Sequence, residues 1–276
     1  MARSCNANEE KKQLQQLVIA VLKSPKYRNI SEDLIENIGL RELSKWQNLK
    51  KAIKATKNKL HQIGGAYFLE KPKYSFWLEK LNEAKKAGSE SSFRMVCTEI
   101  MSYHYSTRER LKILEEFYSK IFSLLPPIQS IIDVACGFNP FSIPWMPLSA
   151  NAEYYAYDVY KDMIDFINKF MAIRNVQGFA EVKDVTRKAL EITTDLAFFL
   201  NTIPCFEQIE KKAGLKVLEA IRSEFIAVSF PVKSLCGREK SMQKYYEAMF
   251  NRLIREKDWS VQRLEFRSEL VFIIAK

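Results

Sequence analysis

The fold class follows from one stretch of the chain, Ser130-Ile131-Ile132-Asp133-Val134-Ala135-Cys136-Gly137-Phe138-Asn139-Pro140. Its apolar first half predicts a short, buried β-strand. The small residues Ala135 and Gly137, which follow the acidic Asp133, predict a tight turn at which the backbone can approach a bound molecule closely. A strand and turn of this kind are typical of the start of a cofactor-binding α/β domain.

Further apolar segments follow this strand, and helical stretches separate most of them. The strand candidates are residues 154–157, 180–182, 196–200, 225–230 and 270–274. Strands separated by helices form βαβ units, so we expect a Rossmann-like α/β domain with a mostly parallel sheet and helices on both faces. The last strand comes soon after the run 261–266 and could instead form a hairpin at the sheet edge.

Acidic residues close three successive strand candidates. Asp133 ends the first, Asp158 ends the second and Asp184 follows the third. An acid at the second position can accept both hydroxyls of an adenosine ribose, and an acid at the third can reach the adenine amino group. The turn after Asp133 has one glycine and lacks the glycine repeat that cradles a pyrophosphate. The sequence therefore favours S-adenosylmethionine, which carries no phosphate, over NAD.

The N-terminal part of the chain is helical and strongly basic. Residues 1–110 hold 21 of the 43 basic and 12 of the 33 acidic residues, and so carry +9 of the net charge of +10. Apolar residues at helical spacing predict helices from about residue 10 to 105, with a stripe of exposed lysines within 41–59. A basic part beside a neutral part indicates that the first binds a polyanion. We expect a basic helical docking domain at residues 1–105 and a cofactor-binding domain at residues 106–276.

Composition disfavours several other classes of protein. The 276 residues are 47% hydrophobic and 28% charged, which is typical of a soluble globular chain. No apolar run approaches the roughly 18–20 residues that span a bilayer, and the N-terminus shows no secretory signal. We therefore expect a cytoplasmic protein with no membrane partner. Five scattered cysteines and two histidines predict neither a metal site nor a disulfide framework.

Longer strings of residues carry a resemblance to a known family. The strings are Lys59-Leu60-His61-Gln62-Ile63, His104-Tyr105-Ser106-Thr107-Arg108-Glu109-Arg110, Cys136-Gly137-Phe138-Asn139-Pro140-Phe141, Pro144-Trp145 and Ser229-Phe230-Pro231-Val232-Lys233-Ser234-Leu235-Cys236-Gly237-Arg238-Glu239-Lys240. From roughly residue 15 to 275 the chain resembles the aminoglycoside-resistance 16S rRNA (guanine-N7) methyltransferases, the Arm/Rmt group.

The resemblance implies a substrate and a biological effect. The methyl group of S-adenosyl-L-methionine would pass to N7 of guanine 1405 in the decoding region of 16S rRNA, leaving S-adenosyl-L-homocysteine. The substrate would be the assembled 30S subunit, with no DNA partner, and a monomer suits an enzyme that binds a ribosomal subunit. The outcome would be resistance to 4,6-disubstituted deoxystreptamine aminoglycosides.

The matching positions supply candidate cofactor contacts. Arg110, with Thr107, is expected to grip the methionine carboxylate, because an arginine fork matches that group. The full set of cofactor candidates is Thr107, Arg110, Asp133, Ala135, Gly137, Asp158, Asp184 and Val185. The chain departs from the family pattern at two positions. Ala135 stands where many methyltransferases have glycine, and Asn201 stands where some members carry lysine.

The chemistry at N7 sets what the remaining residues have to do. Guanine N7 has an available lone pair and no proton to lose, so we expect no acid/base residue, only in-line placement against the methyl carbon. The base lies inside folded RNA and has to be extruded and held. Candidates for RNA contacts, mainly to phosphates, are Lys50, Lys51, Lys54, Lys57, Lys59, Lys233 and Arg238, with Met242 near the base. Tyr245 and Tyr246 could lie near the base or pack on the sheet.

Three alternatives stay open on the residues alone. The first is an N1-adenine methyltransferase of the same rRNA region, which the string at residues 229–240 disfavours. The second is an NAD(P)-dependent Rossmann oxidoreductase, against which the missing glycines and the basic N-terminal part argue. The third is a ribosome-binding protein with a vestigial cofactor site. The presence of Asp133, Asp158 and Asp184 makes the third less attractive.

Overall fold

The computed structural model describes residues 2–46, 48–65, 67–232 and 242–276. Within these ranges seven strands form one sheet. They are β1 (Ser130–Val134), β2 (Glu153–Asp158), β3 (Gln177–Val182), β4 (Thr193–Leu200), β5 (Arg222–Pro231), β6 (Ser260–Glu265) and β7 (Glu269–Ala275). Every strand predicted from the sequence lies within one of them.

The sheet has the order β3-β2-β1-β4-β5-β7-β6. The pairs among β1 to β5 are all parallel, whereas β7 runs antiparallel to β5 and to β6. The mostly parallel sheet confirms the predicted fold class. The hairpin considered for the C-terminal run also forms, and it places β7 inside the sheet and β6 at its edge, because β7 is apolar on both faces and is buried along most of its length.

Helices cover both faces of this sheet. In chain order they are α1 (Ala2–Leu22), α2 (Glu32–Lys45), α3 (Leu49–Leu60), α4 (Tyr74–Lys86), α5 (Glu90–Met101), α6 (Tyr105–Arg110), α7 (Leu114–Ser123), α8 (Lys161–Arg174), α9 (Ile203–Ile209), α10 (Ala213–Ala220) and α11 (Met242–Ile254). Neighbouring residues of β4 point to opposite faces, so Phe198 packs in a cluster with α7 and α8 while Phe199 packs in a cluster with α9 and α10.

The N-terminal helices divide between two hydrophobic clusters. Helices α1 to α3 bury a cluster of their own around Leu17, Ile35 and Ala52. Helices α4 and α5 instead bury Trp77 and Phe93 in the cluster that they share with the sheet, α7 and α8. The domain boundary at residue 105 stays a prediction. The apolar clusters separate earlier in the chain, between α3 and α4.

Helix α2 is joined to the sheet at the point where β2 ends. The backbone N–H of Ser31 donates to the carbonyl of Val159 at 2.7 Å, and the N–H of Lys161 donates to the carbonyl of Asn29 at 2.7 Å. Ser31 is the N-cap of α2, but its side chain makes no capping hydrogen bond. These contacts hold α2 beside the carboxyl ends of β2 and β3. None of the described helices has the length and apolar character needed to cross a membrane.

Candidate cofactor site

A cavity lies at the carboxyl ends of β1 to β4. Its walls come from the residues that follow these four strands, from α6, and from the N-terminal helices. The lining includes Ile30, Leu34, Leu60, Tyr67, His104, Thr107, Arg110, Asp133, Ala135, Gly137, Asn139, Asp158, Lys183, Asp184, Val185, Asn201 and Phe206. All eight cofactor candidates from the sequence are among these lining residues. The fold therefore brings them together at the carboxyl ends of the strands, which is where open α/β sheets bind their ligands.

The turn after β1 adopts the tight conformation that its small residues predicted. Ala135 has a φ of 52° and Gly137 has a φ of 51°, both in the left-handed region. A Cβ atom on Gly137 would lie 2.8 Å from Cε1 of His104, so glycine is required there by space as well as by backbone angle. At Ala135 the same region costs strain, because an L-residue with a Cβ disfavours positive φ.

Asp158 ties the end of β2 to this turn. Its Oδ2 accepts the backbone N–H of Gly137 at 3.0 Å, and its Oδ1 accepts the N–H of Val159 at 2.6 Å. Burial raises the pKa of the carboxyl, and these backbone hydrogen bonds oppose the rise. The carboxyl group is therefore fixed in orientation at the cavity wall, and it keeps acceptor capacity for a hydroxyl.

Asp133 faces a buried polar network. Its Oδ2 accepts hydrogen bonds from the Tyr154 hydroxyl at 2.6 Å and from Nδ2 of Asn139 at 3.0 Å. Burial raises the pKa of the carboxyl to about 7, while the bonds from Tyr154 and Asn139 and the charge of Arg110 lower it. Asp133 therefore stabilises the turn through its hydrogen bond with Asn139 and also lines the cavity.

Arg110 lines the cavity as predicted, but its fork is already paired. Nε and Nη2 donate to the two carboxylate oxygens of Glu269 at 2.8 and 3.0 Å, and Nη1 donates to Oδ1 of Asn139 at 2.7 Å. A guanidinium has five N–H groups, so two remain for a ligand. The contact of Arg110 with a methionine carboxylate stays a prediction, and it would use the two N–H groups that remain on Nη1 and Nη2.

The other contributions of α6 are mainly structural. The Thr107 hydroxyl donates to the backbone carbonyls of Met101 and His104. His104 is the N-cap residue of α6, yet its ring makes no capping bond and instead packs against Tyr67, Phe68 and Phe138. Burial, with the charge of Arg110, lowers the pKa of His104 to about 4. The ring is therefore neutral at physiological pH, as a packing residue should be.

Asp184 joins the cavity to the N-terminal helices. Its Oδ1 accepts the N–H and the hydroxyl of Thr186, and its Oδ2 accepts Nδ2 of Asn37 on α2 at 2.9 Å. Val185 is buried beside it in the cavity wall. The contact of Asp184 with an adenine amino group stays a prediction, and the carboxylate has acceptor capacity left for one further donor.

The predicted RNA contacts fall into three sets. Lys50, Lys51 and Lys54 are exposed on α3, whereas Lys57 and Lys59 are half-buried, and Lys59 donates to the carbonyl of Gln208. Lys233 and Arg238 lie outside the described residues. Met242 is half-buried at the first position of α11. On the same helix Tyr245 is 58% exposed, while Tyr246 stacks on Phe230 with ring centroids 5.2 Å apart.

Sequence reasoning missed several residues of the site. Glu269, Asn37 and Tyr154 come from distant parts of the chain, and no local pattern marks them. Asn201 was noted only as a departure from the family. It has a φ of 59°, its Nδ2 donates to Ser106 at 2.8 Å, and its Oδ1 is buried without a hydrogen-bond partner among the described residues. A strained residue with an unsatisfied buried atom is a signal that only the structure carries.

The residues present fit S-adenosylmethionine by the chemistry of their side chains. The cavity is lined by three carboxyl groups, those of Asp133, Asp158 and Asp184, and by one lysine, Lys183. The charge of Arg110 is offset by Glu269, so carboxyl groups remain in excess. This balance suits a cofactor with a positive sulfonium and an ammonium group, and it offers little to a pyrophosphate. Apolar walls from Leu34, Val185 and Phe206 suit an adenine ring.

Comparisons with known proteins agree with this geometry. The model of a family described as ribosomal RNA methyltransferase (FmrO) matches residues 23–273. The chain is 34% identical to a 16S rRNA (guanine(1405)-N(7))-methyltransferase of Micromonospora echinospora over 265 residues, which are 95% of this chain and 97% of that protein.

Two solved structures share the fold. One is the 16S rRNA methyltransferase RmtF in complex with S-adenosyl-L-homocysteine, which matches with a TM-score of 0.81 and 25% identity over 96% of this chain and 98% of that chain. The other is the 16S rRNA methylase RmtB, with a TM-score of 0.76 and 24% identity over 95% of this chain and 98% of that chain. Both align with the helical N-terminal part as well as with the sheet.

Proposed function

Since the chain belongs to the FmrO family of ribosomal RNA methyltransferases, we propose that it methylates N7 of guanine 1405 in 16S rRNA within the assembled 30S subunit. The cofactor is S-adenosyl-L-methionine, as the residues of the turn and strand ends predicted. The observation that carries this function is the cavity at the carboxyl ends of β1 to β4, which Gly137, Asp158 and Asp184 line together. Methylation at this position confers resistance to 4,6-disubstituted deoxystreptamine aminoglycosides.

The reaction asks little acid/base chemistry of the protein. S-adenosylmethionine, when bound, supplies a methyl group attached to a positively charged sulfur. The N7 lone pair would form the new bond to the methyl carbon while the carbon–sulfur bond breaks and its electron pair returns to sulfur, which leaves S-adenosylhomocysteine. N7 loses no proton in this step, so no residue has to act as a base. What the chain has to do is hold the two reactants in line and exclude water from the cavity.

One histidine and two cysteines that line the cavity are held in neutral forms that suit this role. Burial lowers the pKa of His104 to about 4, so no imidazolium repels the sulfonium. Burial raises the pKa of the Cys205 thiol to about 11 and that of the Cys136 thiol well above its ordinary value. Both cysteines are therefore protonated at neutral pH, which disfavours a covalent mechanism because the thiolate is the nucleophile.

The basic N-terminal part supplies the contacts with RNA. Lys50, Lys51 and Lys54 project from α3 into solvent, and Lys51 lies 5.8 Å from the ring centroid of Trp46. Lysines in this arrangement neutralise backbone phosphates and set the orientation of the enzyme on the subunit. Recognition of the base itself falls to the side of the cavity near α11. The enzyme acts as a monomer in the cytoplasm, where the 30S subunit is found.

The family match decides between the open alternatives. A NAD(P)-dependent oxidoreductase is contradicted by membership of a methyltransferase family. Methylation of adenine N1 is disfavoured, because the curated relatives act on N7 of a guanine according to their names. A ribosome-binding protein without activity is disfavoured by a cavity in which the three strand-end acids are all retained.

The test is transfer of radiolabelled methyl from S-adenosylmethionine to purified 30S subunits, with naked 16S rRNA in parallel. Borohydride and aniline treatment cleaves RNA at 7-methylguanosine, so primer extension maps the modified nucleotide. We expect cleavage at guanine 1405 in the 30S sample alone. Label without cleavage at that nucleotide would move the target atom or base, equal labelling of naked rRNA would remove the requirement for assembly, and no label would overturn the proposal.

A further inference from the structure

Helix α2 contacts the cofactor-binding domain through charged and polar side chains. The acidic side chains of its first turns pair with basic residues of that domain, and Arg41 near its end pairs with Glu210. The pairs of the first turns are Glu32 with Lys161, Asp33 with Lys188 and Glu36 with Arg187. Each pair is partly exposed, so each contributes little on its own. Together they hold α2 in one orientation over the ends of β2 and β3.

At the centre of this contact lies a buried side chain, that of Asn37. It is 6% exposed, and its Nδ2 donates to Oδ2 of Asp184 at 2.9 Å and to the hydroxyl of Thr186 at 3.1 Å. Its Oδ1 accepts from Nε of Arg41 at 3.3 Å. Both ends of the amide are therefore engaged, and its orientation is determined by charged or hydroxyl partners on two sides.

The acceptor capacity of Asp184 shows what this contact does. A carboxylate has about four lone-pair positions. Thr186 occupies two positions on Oδ1 and Asn37 occupies one on Oδ2, which leaves one position on Oδ2. Asn37 thus fixes the oxygen that keeps an open lone pair, and Asp184 lines the cavity. Ile30 and Leu34, which come from the same N-terminal segment, line the same cavity.

We propose that Asn37 is a positioning residue for the cofactor: from α2 it holds the Asp184 carboxylate in the orientation that receives the adenine amino group. This inference rests on the proposed function, because it takes S-adenosylmethionine as the ligand. It follows that the cofactor site is complete only when α2 is seated on the sheet. Cofactor binding and the seating of the basic N-terminal helices are then linked reciprocally.

The experiment measures the affinity for S-adenosylhomocysteine by calorimetry, and it needs no methyl transfer. Asn37→Ala should raise the Kd about ten-fold, the loss expected when a carboxylate loses a hydrogen bond that orients it. Asn29→Ala is the matched control, because Nδ2 of Asn29 also donates from the N-terminal segment to a carboxylate, that of Asp162, at 2.7 Å. Asn29 does not contact Asp184, so the Kd of the Asn29→Ala variant for S-adenosylhomocysteine should stay within about two-fold of wild type. Circular dichroism shows whether each variant is folded. If Asn37→Ala does not fold, Asn37→Ser takes its place in the binding measurement.

Two further measurements separate positioning from general loss of stability. In an Asp184→Ala background, Asn37→Ala should have no further effect on the Kd, since both changes act on one contact. The second probe is S-inosylhomocysteine, which has a carbonyl in place of the adenine amino group. Wild type should prefer S-adenosylhomocysteine over it, and Asn37→Ala should reduce that preference.

The outcomes distinguish this inference from the proposed function. An Asn37→Ala variant with the Kd and the base preference of wild type would overturn the inference while methylation of 30S subunits still stood. Additive effects of Asn37→Ala and Asp184→Ala would also overturn it. A wild-type protein that binds S-adenosylhomocysteine but leaves 30S subunits unmethylated would overturn the proposed function and leave the binding comparison valid.

Discussion

Arg110 and Glu269 form a bidentate ion pair in the interior of the protein, although they are 159 positions apart in the chain. Each side chain is 1% exposed. The pair links α6 to the start of β7, and through Nη1 of Arg110 it also holds Asn139 in the turn after β1. The geometry of the cofactor turn therefore depends on a strand at the far end of the sequence.

The first prediction concerns this pair. Glu269→Ala leaves a buried guanidinium without its counter-charge, which should lower the free energy of unfolding by about 3–5 kcal/mol. Glu247→Ala, which breaks the partly exposed pair with Arg263, should cost about 0–1 kcal/mol. Urea unfolding followed by circular dichroism measures both. Equal losses in the two variants would show that burial adds nothing to the Arg110–Glu269 pair.

The second prediction concerns the turn after β1. Ala135→Gly relieves a left-handed alanine, which costs about 1–2 kcal/mol, against an entropy loss of about 0.5–1 kcal/mol for glycine. We expect a net gain in the free energy of unfolding of about 0.5 kcal/mol. Gly137→Ala should destabilise the protein instead, because its Cβ would meet His104 at 2.8 Å. Thermal and urea unfolding of Ala135→Gly and Gly137→Ala test these two expectations. A Gly137→Ala variant that is more stable than wild type would contradict the described turn.

The third prediction concerns Asp158. Asp158→Ala should abolish binding of S-adenosylhomocysteine in calorimetry while the fold survives, because the ribose hydroxyls lose their acceptor. The control is Asp195→Ala. Asp195 also accepts two backbone N–H groups, those of Gln129 and Ser130, but at the opposite end of β1. Both variants lose backbone hydrogen bonds at an end of β1, so an equal loss of affinity would mean that Asp158 acts only through stability.

The fourth prediction concerns the lysines of α3. Changing Lys50, Lys51 and Lys54 together to Glu should weaken binding to 30S subunits, reduce its dependence on salt, and leave the cofactor Kd unchanged. The same charge change at Lys85, Lys86 and Lys169, exposed on α4 and α8, controls for net charge. Filter binding at several salt concentrations measures both triple variants. A similar loss in the control would indicate a general effect of charge and would remove α3 from the docking surface.

The fifth prediction is a pH dependence. The folded protein keeps His104 neutral down to a pKa of about 4, below its ordinary value of 6.5. Between these values the unfolded chain binds a proton that the folded chain does not, so His104 contributes a loss of stability as the pH falls from 6.5 towards 4. Between pH 6.5 and 4, the free energy of unfolding of wild type should fall by up to about 1.4 kcal/mol per pH unit more than that of the His104→Gln variant. If the free energies of unfolding of wild type and His104→Gln change with pH in parallel, this assignment is contradicted. The His61→Gln variant, changed at an exposed position, is the control for loss of a histidine elsewhere.

Much of the site was predictable because its residues follow strands. Asp133, Asp158 and Asp184 each end or follow an apolar run, and parallel strands end at one edge of a sheet, so their meeting at one cavity followed from local patterns. The tight turn at Gly137 was predicted from its lack of a side chain, and the structure adds its left-handed backbone angle. For Arg110 the structure shows a place in the cavity wall, while its contact with a methionine carboxylate stays a prediction. A surface pattern in Arg108-Glu109-Arg110 carries no sign that Glu269 occupies the fork.

The amino-acid pattern alone was enough for the α/β class, the order of the strand-end acids, the small-residue turn and the basic N-terminal helices, because each depends on neighbouring residues. The pairing of Arg110 with Glu269 and of Asn37 with Asp184 depended on the folded chain, since the partners are 159 and 147 positions apart in the sequence. Packing also assigned α4 and α5 to the hydrophobic cluster of the sheet, where Trp77 and Phe93 are buried. Such contacts form only when distant segments are brought together, and no local periodicity encodes them.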